Sequence, residues 1–358
     1  MNILVVTPRY NITGVPLAQA RFAAALAERG HQVTLMIGRC DRDIPVPQVP
    51  GVEVIELGSA QVRDMLWPLR RYLRNARPDV VFSAEDHLNC MVAAAALLAR
   101  SRTRISGSSR VPPFDTYSHR WFTKRWALKQ VMRALAWRID VLTCVSQDMV
   151  DLYGEWFPGM GHQCVYNIVD LPAARERMAE PLDDPWFSDG GPIPIVAAGS
   201  LAPYKGFADL IRAIALVPEV RLIILGEGSQ RAELEALIAQ LGLQDRVRLH
   251  GRVANPLKYF ARARIYALSS YAEGMPNVLV EAMLCGCTPV ATDCRTGPRE
   301  LLHDGRFGYL ATVGDPTSIA AALRAAMADP IPPELLAEAV RPFEQNRVID
   351  RHFALLGL

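Results

Sequence analysis

The sequence predicts an α/β protein built from two doubly wound, parallel-sheet domains. In both halves short apolar runs alternate with segments of helical period, the pattern of parallel strands covered by helices on both faces. A stretch rich in proline, acid and glycine, Pro172 to Pro194, has no sustained periodicity and divides the halves. At 358 residues, half of them apolar, the chain has the length for two ordinary domains with substantial cores.

The first half opens on MNILVVTPRY, a buried strand over Ile3 to Thr7 feeding a loop; it lacks the long apolar run and cleavage site of a signal peptide. A helix over Pro16 to Arg29 stops at Gly30-His31. Strands are expected at Val33 to Ile37, Val52 to Leu57, Val80 to Ser83, Arg104 to Ser106 and Val141 to Val145. Helices are expected at Val62 to Ala76, Leu88 to Ala99 and Trp121 to Trp137. The second half restarts at Ile195 to Ala198 and continues through Arg221 to Leu225, Val247 to His250, Ile265 to Ser269 and Thr288 to Thr292. A helix spans Asn277 to Leu284, with Gly286 as its stop, and a last helix spans Asn346 to Leu356. The expected boundaries are 1–175, a connection over 176–193, a second domain over 194–342, and a terminal helix within 343–358.

Composition narrows the function. The longest apolar run, Met91 to Ala99, is too short to span a bilayer. Seven cysteines, an odd number with no Cys-x-x-Cys, read as reduced thiols of a cytoplasmic protein; Cys285, Cys287 and Cys294 read as small packing residues. Up to Met178 there are 22 Lys/Arg against 16 Asp/Glu, a balance of +6; the remainder has 17 against 21, a balance of −4. That is too weak and broken a basic surface for nucleic acid, and fits an anionic acceptor or a membrane surface.

The stretch RIYALSSYAEGMPNVLVEAMLCGCTPVATD concentrates the chemistry. It reads strand, turn, helix, strand, with Glu273 before the helix and Glu281 inside it, eight positions on. In open α/β sheets ligands collect at the carboxyl ends of strands, and amides at a helix start there favour an anion. Amides near Gly274 to Val278 suit a phosphate, and two carboxylates suit hydroxyls; together they suit a nucleotide sugar. The pattern Glu-Gly-x-Pro-Asn-x-x-x-Glu-Ala-x-x-x-Gly-x-x-Pro-Val resembles the retaining glycosyltransferases of family 4, which have the GT-B fold. The resemblance is specific from Ile195 to Asp315 and loose before Arg175. It implies two Rossmann-like domains facing a central cleft, the first binding the acceptor and the second the nucleotide sugar, with the terminal helix crossing back onto the first.

The resemblance also implies roles. Lys205, in AAGSLAPYKG and one of four lysines beside 35 arginines, would neutralise charge on a leaving diphosphate. Gly199 and Ser200 lie in that donor loop; the family usually has an arginine where this chain has Ser200, so either Arg295, Arg299 or an arginine of the first half replaces it or the grip on the donor is weaker. Glu273 would contact sugar hydroxyls or assist at the reacting carbon, and Glu281 would bind both ribose hydroxyls. Gly274, Met275, Pro276, Asn277 and Val278 would hold the diphosphate or sugar through backbone amides. Gly226-Glu227-Gly228 matches the family's loop beside the nucleoside, though Glu227 reads equally as a solvated charge; the third glycine of a dinucleotide fingerprint is absent. Gly297-Pro298-Arg299-Glu300 begins a further helix near the donor.

In the first half the loop Tyr10 to Pro16 keeps only Gly14 of the family's paired glycines. The family's histidine is missing from Gly107-Ser108-Ser109-Arg110; Arg110 and His87 are then candidates for a donor or acceptor phosphate, and both His87 and His119 also read as surface residues. Asn167 lies in Asn-Ile-Val-Asp170, matching the family's Asn-x-x-Asp link. Asp41-Arg42-Asp43 reads as a plain acidic turn, since family members generally need no divalent ion. No cofactor is expected, and UDP-sugars are favoured over GDP-sugars as donor.

From Arg120 to Arg138, Leu128, Val131, Leu135 and Ile139 recur at helical spacing and should face the core. Arg125, Lys129 and Arg133 form a basic stripe beside Trp121, Trp126 and Trp137, with Arg70, Arg71, Arg74 and Trp67 adding to it. This reads either as an ordinary solvated face with core aromatics or as a face that settles on anionic lipid to reach a lipid-linked acceptor. The implied activity is transfer of a hexosyl or N-acetylhexosaminyl group to an acceptor hydroxyl with retention. The alternatives are a nucleotide-sugar epimerase, a phosphorolytic enzyme, or an inactive nucleotide-sugar-binding subunit.

Overall fold

The computed structural model describes residues 1–11, 14–41, 44–169, 171–188 and 190–358. Ile12 and Thr13 of the Tyr10–Pro16 loop, Arg42 and Asp43 of the acidic turn, and Asp170 of the Asn-x-x-Asp link lie outside the described residues. The chain divides into two compact units: unit 1 comprises Met1–Ile168 with Gln345–Leu358, and unit 2 comprises Val169–Glu344.

Unit 1 holds a seven-stranded parallel sheet: β1 (Asn2–Tyr10), β2 (Gln32–Cys40), β3 (Val52–Glu56), β4 (Val80–Ala84), β5 (Arg104–Ser109), β6 (Val141–Cys144) and β7 (Gln163–Cys164), in the order β3-β2-β1-β4-β5-β6-β7. The order reverses direction between β1 and β4, which makes their carboxyl ends the place for a crevice. One face of the sheet is covered by the helix Gly14–Glu28 and by the chain's terminal helix Gln345–Leu356. Phe22, Leu26, Val348, Ile349 and Leu356 pack there on Ile3, Val5 and Phe82. Each such large side chain contributes about 1.5–3 kcal/mol by burial.

Unit 2 is a six-stranded parallel sheet: β8 (Ile193–Ala198), β9 (Val220–Leu225), β10 (Val247–Gly251), β11 (Ile265–Leu268), β12 (Thr288–Thr292) and β13 (Tyr309–Ala311), ordered β10-β9-β8-β11-β12-β13. Here the reversal lies between β8 and β11. All six residues of β9 are buried, as a strand covered on both faces requires. The helix Phe207–Ala215 lays Leu210, Ile211 and Ile214 into this core, and Asp315 caps the helix Pro316–Ala328 by accepting from the N–H groups of Thr317 and Ser318.

The two parallel-sheet domains are as the sequence predicts; local differences have identifiable causes. The helix expected over Val62 to Ala76 is a 3-10 turn, Val62–Met65, followed by an α-helix, Leu66–Asn75. Pro68 lacks an N–H and would clash with the preceding turn of a continuous α-helix. The Trp-rich helix starts at Lys124 because Thr123 caps it, its Oγ1 accepting from Trp126 N at 3.1 Å. Within it Val131 is exposed, contrary to the expected core stripe, while Met132 and Lys129 are buried. Lys129 therefore leaves the basic stripe: its ammonium lies 4.8 Å from the Trp156 ring centroid and 5.5 Å from that of Phe157. The stretch 172–194, read as aperiodic, carries most of a helix, Leu171–Ala179, and a 3-10 turn, Pro185–Phe187. Asn255 Nδ2 donates to Arg177 O at 2.8 Å, and Arg248 pairs with Asp184 at 2.9 Å, tying this stretch to unit 2.

Candidate functional site

In unit 2 the loops after β8, β9, β11 and β12 all leave the same edge of the sheet, and glycines let them crowd together. A Cβ on Gly226 would come within 1.8 Å of Gly199 O, and one on Gly228 within 2.4 Å of Leu201 O. Gly206, at φ +63°, starts the helix Phe207–Ala215 with its Cα pressed against Ser269 O, which a Cβ would meet at 2.0 Å. The loop after β8 is thereby fixed on the end of β11, and Ser269 Oγ donates to Lys205 O at 2.8 Å.

This packing brings Lys205 and Glu273 together across the reversal point, 68 residues apart in sequence. Lys205 Nζ donates to Glu273 Oε1 at 2.6 Å, and each side chain is 12% exposed. Ser270 Oγ donates to the same oxygen at 2.6 Å, and Thr296 Oγ1 donates to the Glu273 carbonyl. The ammonium also lies 5.2 Å from the Tyr204 ring centroid. Ser270 and Thr296 were not singled out from sequence; a pair of serines closing a buried strand just before the glutamate is the signal that could have found Ser270. The result is one cation and one carboxylate held nearly dry, where each acts at low local dielectric.

The helix Asn277–Leu284 starts at this place, after the buried Met275 and Pro276, with no side-chain cap at its head. Gly274, Asn277 and Val278 are half-buried around its first turn, and Glu281 is half-buried one turn on. Gly297, at φ +90°, packs over the loop, where a Cβ would meet Gly274 O at 2.7 Å. Glu227 is exposed and holds Arg231 through both carboxylate oxygens, at 2.6 and 2.9 Å. Ser200 Oγ lies 3.3 Å from the Tyr204 hydroxyl and brings no charge. Of the proposed substitutes, Arg299 is paired with Asp293 and Asp304, and Arg295 is exposed. Burial pushes the thiols of Cys285 and Cys294 up to about 12, so they stay protonated, and no cluster able to hold a metal ion occurs among the described residues.

The residues expected in the first half lie in unit 1. Gly14, at φ +58°, begins the helix Gly14–Glu28. His87 Nε2 lies 3.3 Å from Glu85 Oε2, and that contact raises its pKa. Arg110 follows β5 and donates to Gln19 Oε1 at 3.2 Å, while its Nε has no partner among the described residues; burial lowers its pKa to about 10. Asn167 is buried near the end of unit 1. His119 is exposed, its ring 4.2 Å from that of Trp156.

Two family models match: "Glycosyl transferases group 1" over residues 180–342 and "Glycosyl transferase 4-like domain" over residues 13–166. Among curated relatives, the N-acetylgalactosamine-N,N'-diacetylbacillosaminyl-diphospho-undecaprenol 4-alpha-N-acetylgalactosaminyltransferase of Campylobacter jejuni is 38% identical over 47% of this chain and 44% of its own length. The lipopolysaccharide core biosynthesis glycosyltransferase LpsE of Rhizobium meliloti is 32% identical over 46% of this chain and 49% of its own. The chain thus spans about half the length of these two relatives. Among solved structures, Anabaena HepE in complex with UDP superposes with a TM-score of 0.78 at 21% identity, covering all of both chains.

Proposed function

We propose that this chain, which belongs to the family 4 glycosyltransferases of the GT-B fold, moves a hexosyl or N-acetylhexosaminyl group from a nucleotide-diphosphate sugar to a hydroxyl of a lipid-linked or cell-surface glycan precursor, with retention. The observation that carries the reading is the Lys205–Glu273 pair at 2.6 Å, at the reversal point of unit 2 and beside the head of the helix Asn277–Leu284. An ammonium and a helix start stabilise charge that grows on a leaving diphosphate, in a setting where water competes little. Gly274 to Val278 hold the diphosphate or sugar through amides, Glu281 takes the ribose hydroxyls, and Gly199, Ser200 and Glu227 border the nucleoside. Glu273 orients Lys205 and meets sugar hydroxyls. The leaving phosphate takes the acceptor proton on the face it departs from, so no enzymatic nucleophile is required.

UDP is the favoured nucleotide, supported by the UDP complex of the Anabaena neighbour. The charge work falls to Lys205 and backbone amides, without a divalent ion. Gly14 serves the donor through a close approach to its phosphate, and His87, Arg110 and Asn167 serve the acceptor or a phosphate. A lipid-linked acceptor is supported by the name of the Campylobacter relative and by the exposure of Trp67, Trp121, Phe122 and Trp137, at 62, 73, 89 and 73%. Aromatics of this kind beside Arg70, Arg125 and Arg133 suit peripheral binding at the inner face of a membrane. No helix among the described residues is long and apolar enough to cross one.

A panel of UDP-, GDP- and dTDP-sugars in thermal unfolding tests the donor reading. A donor at a hundred times its Kd adds about 2.7 kcal/mol of apparent stability. A panel in which no nucleotide sugar shifts the transition overturns it.

A further inference from the structure

Three consecutive residues after β11, Ser269, Ser270 and Tyr271, each bond to a different part of the frame around Lys205 and Glu273. Ser269 Oγ donates to Lys205 O at 2.8 Å, and Tyr271 N donates to Tyr204 O at 2.8 Å, so the lysine loop is held at two successive carbonyls. Tyr271 OH also donates to Asp209 Oδ2 at 2.5 Å, which ties the same segment to the first turn of the helix Phe207–Ala215. Ser270 differs from both. Its Oγ donates to the carboxylate of Glu273, at 2.6 Å. A buried serine hydroxyl can satisfy itself on a nearby carbonyl, as Ser269 does, yet the fully buried Ser270 spends its proton on the site's carboxylate.

The two donors to Glu273 meet on one oxygen. Lys205 Nζ and Ser270 Oγ each lie 2.6 Å from Oε1, while Oε2 has no partner among the described residues. The terminal torsion of a glutamate is broad, so a single donor leaves the carboxylate free to turn. An ammonium on a flexible four-carbon stem constrains it weakly. The Ser270 hydroxyl sits on a one-carbon stem, and its backbone is fixed from the neighbouring strand: Thr292 Oγ1, at the buried end of β12, donates to Ser270 O at 2.6 Å. Donors arriving from two separate elements, the loop after β8 and the end of β11, fill the lone pairs of Oε1 and leave those of Oε2 for a ligand.

We propose that Ser270 is a positioning residue for the transfer: it fixes the rotation of the Glu273 carboxylate so that Oε2 alone accepts from a hydroxyl of the donor sugar. Ser270 touches neither donor nor acceptor and acts only through Glu273. The inference rests on the reading of unit 2 as the nucleotide-sugar domain and identifies what prepares its carboxylate before the sugar arrives. An acceptor already turned to its hydroxyl spares the bound state the cost of ordering it.

The test is calorimetric titration of the full chain with UDP, UDP-glucose, UDP-galactose, UDP-N-acetylglucosamine and UDP-N-acetylgalactosamine, the tightest-bound of the sugar nucleotides serving as probe. Ser270→Ala should weaken the probe about fivefold or more, the scale for one hydrogen bond to a charged group. UDP, which has no sugar, should bind it within about twofold of wild type, since the change is confined to the sugar contact. In a Glu273→Ala background the same substitution should change neither affinity further, because the group it acts through is gone. Equal weakening of UDP and probe would mean that Ser270 merely supports the loop. Wild-type affinity for both would mean that the carboxylate needs no second anchor, and an undiminished effect in the Glu273→Ala background would mean that Ser270 acts elsewhere. Each of these overturns the proposal. A wild-type chain that binds neither UDP nor any of the sugar nucleotides removes the donor reading and this inference with it; one that binds them while Ser270→Ala is silent removes the inference alone.

Discussion

Acid should destabilise unit 1 in part through a buried ring in its terminal helix. His352 is 7% exposed, its centroid 5.1 Å from that of Phe22 and 5.2 Å from that of Phe82. Burial, with a smaller push from the Arg110 guanidinium, lowers its pKa from 6.5 to about 3. The folded chain then keeps the ring neutral while the unfolded chain protonates it. A histidine depressed in this way contributes stability above its unfolded pKa, and that contribution is lost as pH falls from 6.5 towards 3. Between pH 7.5 and pH 4.5 the unfolded state gains about two units of protonation free energy, about 2.7 kcal/mol. The figure hardly depends on the folded value while that stays under 4. His352→Phe keeps an aromatic ring between Phe22 and Phe82 and removes the titration; the Nδ1 it deletes has no partner among the described residues. Urea unfolding read by tryptophan emission is the assay, since Trp67, Trp121, Trp126, Trp137 and Trp156 lie in unit 1 and only Trp186 in unit 2. His162, lowered to about 4 by burial, acts in both proteins and cancels in the comparison. Wild type should lose about 2.7 kcal/mol more than the variant over this range. Parallel losses would refute the reasoning, because they would mean that the ring is already charged in the fold.

Lys205→Ala should lower kcat by about 100- to 1000-fold with the circular dichroism spectrum unchanged, the scale for removing one preorganised charge partner; turnover near wild type would count against its role. Glu281→Gln should weaken donor binding by about tenfold or more, as loss of a charged hydrogen bond does, read by titration with UDP. Gly226→Ala should destabilise unit 2 by more than about 2 kcal/mol, because its Cβ would meet Gly199 O at 1.8 Å, and a soluble variant with unchanged Tm would contradict the close approach. Flotation with anionic vesicles should recover the protein at low salt and lose it when Trp121 and Trp137 are replaced by serine; no flotation at low salt would sink the membrane reading.

Strands were the legible part of this fold. A strand buried on both faces leaves an unbroken apolar run, and Leu222 to Leu225 or Val80 to Phe82 can be little else. The Lys205–Glu273 encounter was legible only through the motif around each residue, since nothing local in two loops 68 positions apart states that they meet. Lys129 shows the limit. Its place on a basic stripe is what helical spacing gives, and its burial is decided by Trp156 and Phe157, which a different segment supplies. Glu85 is a harder case. No periodicity betrays a positive φ, and a glutamate at a strand end reads as an ordinary helix start until the backbone is seen.

The helix Gln345–Leu356 belongs to unit 1 yet is synthesised after the whole of unit 2. On the ribosome Phe22, Leu26 and Phe82 must therefore wait, uncovered, while some 180 further residues emerge. Unit 2 is contiguous and free to fold as it leaves the exit tunnel, so the half made first matures last. Nascent chains stalled before residue 345 should engage chaperones through the amino-terminal half and be cleaved there by protease, while the later half already resists.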